Sequence, residues 1–289
     1  MEQQKSIISV RHLRKVYRIG DEKVVALGDI NLEILRGQIV CIVGTSGSGK
    51  STLLNQLAGL EKPTRGCVYI GKTNISKLTE NQLAIFRQRR LGFVFQSYNL
   101  LPTMTALENV ALPMIFKGVS RSKRNRIALK MLAAVGLKKR AHHKPTQMSG
   151  GQQQRVGIAR AFVSRPNVVF ADEPTGNLDT KTTIEIMKMM VRFARKYNQT
   201  LILVTHDPEI ADYADRIVTL IDGAITKDEL HQPIYDGLDA PQQTPALPAA
   251  QELPDELPLE QPPASTLPDS EPSASDTDEN QQEEGEIAV

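Results

Sequence analysis

No apolar run in this 289-residue chain approaches the roughly 20 residues that a bilayer-spanning helix needs. The amino terminus, Met1-Glu2-Gln3-Gln4-Lys5, leads straight into an alternating strand pattern and shows no leader. Both absences lead us to expect a chain that is soluble by itself. Cysteine is almost missing too. Cys41 and Cys67 stand alone in separate apolar stretches, which argues against a disulfide scaffold or a metal cluster and fits small core residues in a reducing cytoplasm. Lysine and arginine vanish after residue 227, while 16 of the 33 acidic residues and ten of the 17 prolines lie in residues 228–289. The other 17 acids face all 35 bases in residues 1–227, so a net of +18 there hides behind the +2 of the whole. A tail so poor in large apolar residues cannot bury enough surface to fold. We expect a domain over 1–227, a disordered acidic tail over 228–289, and screening of the basic part that fades with salt. The basic part suits nucleic acid, anionic lipid or nucleotide.

What is present is organised around Gly44-Thr45-Ser46-Gly47-Ser48-Gly49-Lys50-Ser51-Thr52, which fits G-x-x-x-x-G-K-[ST]. It follows Ile39-Val40-Cys41-Ile42-Val43, short and β-branched like a buried parallel strand, and precedes a helix that stops at Gly59. Strand, glycine loop and helix together aim backbone N–H groups and a positive helix end at phosphate oxygens. Lys50 should reach the β- and γ-phosphates, and the Ser51 hydroxyl should meet Mg²⁺. The chain is expected to bind a nucleoside triphosphate.

Elsewhere, residues 6–10 and 30–35 alternate like half-buried antiparallel strands, with Tyr17 between them. Capping boxes at Thr79/Gln82, Thr105/Glu108 and Ser149/Gln152 start helices over about 80–90, from 106, and up to about 164. Pro113 should kink or shorten the second of these. A basic helix runs over about 121–135, and another helix over about 180–197. Leu91–Gln96, Val168–Ala171, Leu201–Val204 and Ile217–Ile221 read as strands. Strands interleaved with helices imply a mostly parallel α/β sheet, and the strand-free stretch 97–162 implies a helical insertion.

The strand Val168–Ala171 ends in Asp172-Glu173, at the edge where parallel sheets bind ligands. Two adjacent acids there invite a division of labour, Asp172 holding Mg²⁺ and Glu173 polarising water, although a solvated strand-end pair is the plain alternative. Ser149-Gly150-Gly151-Gln152 is by physics only a capped helix start that an anion suits.

The order of these motifs resembles an ATP-binding-cassette ATPase across residues 6–227. Besides the loop at 44–52 it includes Gln96, the signature 149–153 with Met148 where leucine is usual, Asp172-Glu173, Gly176-Asn177-Leu178-Asp179, and Thr205-His206-Asp207. The resemblance implies a P-loop fold with a mostly parallel core, an antiparallel β subdomain and a helical subdomain. It implies ATP and Mg²⁺ as ligands. Tyr17 would stack on adenine, though packing is the commoner use of such a residue. Gln96 would sense Mg²⁺ and the water, and His206 would contact the γ-phosphate. Ser149, Gly150, Gly151, Gln152 and Asp179 would complete a site held by an opposite subunit. Two cassettes would thus close head to tail on two ATP, so this chain would pair with a copy of itself or a relative.

Leu91–Gln96, Asn99–Pro102, Thr105–Val110 and Ala171–Asp179 are similar to the ATPases of lipoprotein-release and macrolide-export transporters. That branch implies integral membrane permeases as partners, work at the cytoplasmic face of the membrane, and export or extraction. A soluble nucleic-acid ATPase of the same superfamily is the alternative that the +18 core keeps open; it lacks the long insertions or second cassette of such relatives, so no nucleic acid is expected. A regulator without turnover sits poorly with Glu173 and His206.

Overall fold

The computed structural model describes residues 5–234. In one sheet, β1 (Ser6–Ile19) and β2 (Glu22–Leu35) form a long antiparallel hairpin, which β4 (Arg65–Ile70) and the short β5 (Thr73–Asn74) extend in the order β2-β1-β4-β5. Sequence alternation locates only the two far ends of the hairpin arms. Register shifts at four points along β1 break the period of two between them.

The second sheet holds β3 (Ile39–Val43), β6 (Leu91–Phe95), β7 (Val168–Asp172), β8 (Thr200–Thr205), β9 (Arg216–Ile221) and β10 (Ala224–Leu230), in the order β10-β9-β3-β8-β7-β6. β10 is antiparallel to β9, and the other pairs are parallel. Successive side chains of a strand face opposite ways, and here both ways lead into a core. Val40, Ile42, Val168, Phe170, Ile202 and Val204 pack toward α1 (Lys50–Leu57), α2 (Glu80–Arg90) and the antiparallel sheet. Ile39, Cys41, Val169, Ala171, Leu201 and Leu203 pack into a second core with α3 (Ala106–Phe116), α4 (Arg121–Ala134), α5 (Gly150–Phe162) and α6 (Thr180–Lys196). That is why these strands read as unbroken apolar runs. Burial pushes the Cys41 thiol up to about 12, an inert core residue.

Residues 97–162 contain α3, α4 and α5 with 3₁₀ turns and no strand. All three capping boxes form with both reciprocal bonds. Pro113 does not end α3, which runs on to Phe116. The Gln88 amide donates to the Phe116 carbonyl and Met114 is buried, so tertiary contacts hold the turn that propensity alone would lose. The fold also passes the boundary placed at residue 227. β10 continues to Leu230, Arg216 donates two bonds of 2.6 Å to Asp228, and the Ile234 amide donates to the Asp212 carbonyl. The first acids of the tail are thus sheet residues. The later stretch, for which composition suggests disorder, lies outside the described residues.

Asn109 is fully buried and serves as the frame of the loop before α3. It accepts from the Leu101 amide at 2.8 Å and donates to the carbonyls of Leu101, Met104 and Thr105 at 3.0–3.1 Å. Replacing it strands several buried backbone groups, each at a cost of about 1–3 kcal/mol. Asn109→Leu should therefore lower the urea midpoint by at least one such increment, far more than its gain in apolar area returns. An unchanged midpoint would refute the frame.

Candidate functional site

β3, β6, β7 and β8 run parallel, so the loops that follow them meet at one edge of the sheet. A cleft of about 850 Å³ opens there. Ser46, Gly47, Gly49, Lys50, Ser51 and Thr52 line it after β3, Gln96 after β6, Asp172 and Glu173 after β7, and His206 after β8.

The loop after β3 turns through Gly49 at φ +99°, where a Cβ would stand 2.6 Å from the Ala26 carbonyl. Only glycine fits. Lys50 is 7% exposed, and its ammonium donates back to the carbonyls of Gly44 at 2.9 Å and Thr45 at 2.7 Å. A buried ammonium needs partners, and these hold it over the loop. Ser51 Oγ donates to Asp172 Oδ1 at 3.5 Å, bridging the start of α1 to the end of β7. Burial first, then the neighbouring Glu173 carboxylate, raises the pKa of Asp172; Ser51 and Lys50 oppose them.

Glu173 lies at φ +46°, a left-handed conformation that costs a residue with a side chain on the order of 1–3 kcal/mol. The surroundings enforce it. Its amide continues the ladder to the Val204 carbonyl at 2.9 Å, and the Gly176 amide turns back to its carbonyl at 3.2 Å. The turn delivers Glu173 Oε1 to within 2.7 Å of His206 Nδ1. The glutamate side chain is 19% exposed and the histidine 66%.

Other residues singled out from the sequence stand outside this lining. Tyr17 lies on β1; its hydroxyl donates to Glu61 Oε2 at 2.6 Å, and Lys15 Nζ lies 4.9 Å from its ring centroid. The apolar shelf at one end of the cleft is Val24 and Val25, opposite Tyr17 and Val16 across the hairpin and 43% and 47% exposed. Asp222 and Gly223 close the same end from the turn after β9. Sequence reasoning missed these four, since only the pairing of β1 with β2 and of β9 with β10 brings them there. Ser149 is exposed at the start of α5, its hydroxyl engaged only with the Gln152 amide at 3.4 Å. Gly150 and Gly151 allow close packing, as a Cβ would stand 2.7 Å from Tyr98 Oη and 2.9 Å from Thr182 Cγ2. Asp179 caps α6, accepting from the Thr182 hydroxyl at 2.7 Å and amide at 3.0 Å, which holds its carboxyl below the usual range.

The signature helix is wired to the cleft all the same. Arg160 of α5 donates to the Tyr98 carbonyl at 2.8 Å and to that of Asn99, just past Gln96. Gln154 donates to the Pro174 carbonyl, just past Glu173, and Asn177 Nδ2 donates to the Gln96 carbonyl at 3.2 Å. Met148, standing where the resemblance expects leucine, is 7% exposed and fills the second core.

A phosphate loop, a strand-end Asp-Glu pair and a strand-end histidine on one sheet edge, beside a helical insertion, define a P-loop ATPase. Residues 27–176 match the ABC transporter family. The chain is 45% identical over 219 residues to the lipoprotein-releasing system ATP-binding protein LolD of Legionella pneumophila, covering 76% of this chain and 96% of that one. It is 47% identical over 224 residues to the macrolide export ATP-binding/permease protein MacB of Rhodopirellula baltica, covering 77% of this chain and 33% of that one. The solved dimer of the cassette MJ0796 in a post-hydrolysis state bound to ADP and Pi superposes with a TM-score of 0.73 at 43% identity, covering 78% of this chain and 99% of that one. The chain belongs to the ABC transporter family, in the branch of the lipoprotein-release and macrolide-export ATPases, and it is an ATP-binding ATPase.

Because the pKa of Asp172 is raised, the folded state holds its proton more tightly than the unfolded chain. Its contribution is fully present below the ordinary aspartate pKa and is lost as pH rises through the raised one. Asp172→Asn should thus raise Tm near neutral pH while cutting ATP turnover. Thermal melts from about pH 4 to about pH 8 should show the gain shrinking toward the acid end, where wild-type Asp172 is protonated as well. A gain independent of pH would overturn the assignment.

Proposed function

We propose that this chain hydrolyses Mg-ATP in a head-to-tail pair of cassettes and drives integral membrane permease subunits in export or extraction, attached peripherally at the cytoplasmic face of the membrane. The observation that carries the chemistry is the 2.7 Å contact between Glu173 and His206, beside Lys50 and the Ser51–Asp172 bridge. The loop amides and Lys50 hold the β- and γ-phosphates, Lys50 leaving its loop carbonyls for the stronger anionic partner. Ser51, Asp172 and Gln96 offer only oxygen donors, the set that suits Mg²⁺, which when bound would neutralise phosphate charge. Glu173 takes a proton from the attacking water as its oxygen bonds to the γ-phosphorus and the bond to the ADP oxygen breaks. His206, free on its exposed side, orients Glu173 and contacts the γ-phosphate. Tyr17 with Val24 and Val25 supports the base.

Ser149, Gly150, Gly151, Gln152 and Asp179 are not among the residues lining their own cleft, which suits action on ATP in the opposite cassette. The two dimeric MJ0796 structures support the pairing, and the LolD and MacB names support the permease and the export direction. Arg160 and Gln154 would carry motion of the signature helix to Gln96 and Glu173. A groove of about 330 Å³ lies between the sheet and the helical insertion, lined by Phe93, Phe95, Asn99, Leu112, Pro113 and Phe116 among others. It offers the permease a seat against the loop after Gln96.

Glu173→Gln keeps shape and removes basicity. It should bind Mg-ATP like wild type and hydrolyse it about 10²-fold or more slowly, the range of a positioned base. Size-exclusion chromatography with ATP should then show a dimer that added Ser149→Arg abolishes. Wild-type turnover would sink the catalytic role, and a slow monomer would sink the head-to-tail pair. Leu112→Asp should bind ATP normally and lose co-purification with the permease; retained co-purification would reject the groove.

A further inference from the structure

Residues 109–171 contain 13 Lys and Arg and not one Asp or Glu. This charge meets exposed apolar surface at the turn from α3 to α4. Ile115 is 41% exposed there and Phe116 is 65% exposed. Beside them Arg121, Lys123 and Arg126 are exposed and make no ion pair among the described residues, although Arg121 lies within the field of Glu108. Arg89 adds a further exposed cation from the end of α2, joined to the turn where Lys117 Nζ donates to its carbonyl at 3.3 Å.

The turn is built to hold this surface out. The Gly118 amide donates to the Ile115 carbonyl at 2.9 Å and the Val119 amide to that of Met114 at 3.0 Å. Arg124 donates to the Val119 carbonyl at 3.1 Å, and Lys117 also reaches the Ser164 carbonyl at 3.2 Å. The charges are locally unfavourable: the first turn of α4 carries no acid, and its basic residues oppose the helix dipole. A local rule broken without internal compensation points to a partner outside the chain. Phe116 also forms part of the groove assigned above to the permease, so the turn faces the side from which the permease approaches.

Resting on that docking reading, we propose that the α3–α4 turn sits on the anionic phospholipid surface beside the permease. Ile115 and Phe116 enter the headgroup boundary, and Arg89, Arg121, Lys123 and Arg126 meet lipid phosphates. A cationic cluster and an apolar anchor are the two signals that stable, reversible surface attachment needs. Nucleic acid would engage the cations and leave the aliphatic Ile115 unused.

The test is flotation of the full chain, without permease, on phosphatidylcholine vesicles with or without roughly one-third phosphatidylglycerol. Binding should require phosphatidylglycerol and weaken with salt. The triple variant Arg121→Gln/Lys123→Gln/Arg126→Gln should lower partitioning about 10²-fold at low salt, following the gain typical of each basic residue near a surface. Its basal ATP hydrolysis should match wild type, showing that it is folded. Phe116→Ser should weaken binding several-fold without changing the salt slope. Equal binding to phosphatidylcholine alone, or full binding by the triple variant, would overturn the proposal. So would loss of binding when inorganic phosphate replaces chloride at equal ionic strength, or equally charge-dependent capture of a single-stranded oligonucleotide. Failure of the docking reading would show separately, in co-purification of Leu112→Asp with the permease.

Discussion

Burial of β3, β7 and β8 on both faces is the constraint on which the rest depends. A strand sandwiched between two apolar cores has no room for a polar side chain along its length. Polar chemistry is therefore pushed to the strand ends, and parallel order puts the useful ends together. Asp172, Glu173 and His206 come within two residues of the last apolar position of their strands, and Lys50 and Ser51 follow β3 by one glycine loop. The cleft is a by-product of how the sheet is covered.

Stability is given up at that edge. Burial and a like charge oppose the ionised form of Asp172, Glu173 is left-handed, and the buried Lys50 ammonium bonds to two loop carbonyls. Each would relax in a protein selected for stability alone, and each is held by neighbours with no choice of their own. The Glu173 turn persists because its amide is locked to β8 and its carbonyl to Gly176. The same loops accept bonds from the signature helix through Gln154 and Arg160. The helical insertion is thus hydrogen-bonded both to the segment after the strained glutamate and to the segment after Gln96.

Local chemistry wrote much of this plainly into the chain. The loop at 44–52, the three capping boxes, the central strands and the Asp172-Glu173 pair are short-range patterns whose physics is complete within a few residues. Fold class followed from them, because alternating strands and helices leave few ways to cover a sheet. Asn109 carried no such signal, since an asparagine inside a helix shows its value only once the Leu101–Thr105 loop is folded around it. Pro113 stays inside α3 for a related reason: packing holds the turn that follows it.

The sequence by itself determined where the glycine loop, the strand-end carboxylates and the helix caps lie, because those patterns belong to side chains and to near neighbours. Tertiary structure alone decided which of them share a cleft. It brought Val24 and Val25 to the cleft by pairing hairpin arms, bonded Tyr17 to Glu61, and left Ser149 and Asp179 exposed. It also carried the fold past residue 227, where Asp228 gains its arginine only across a strand pair. Distances between elements depend on sheet order, which sets strands far apart in the chain side by side.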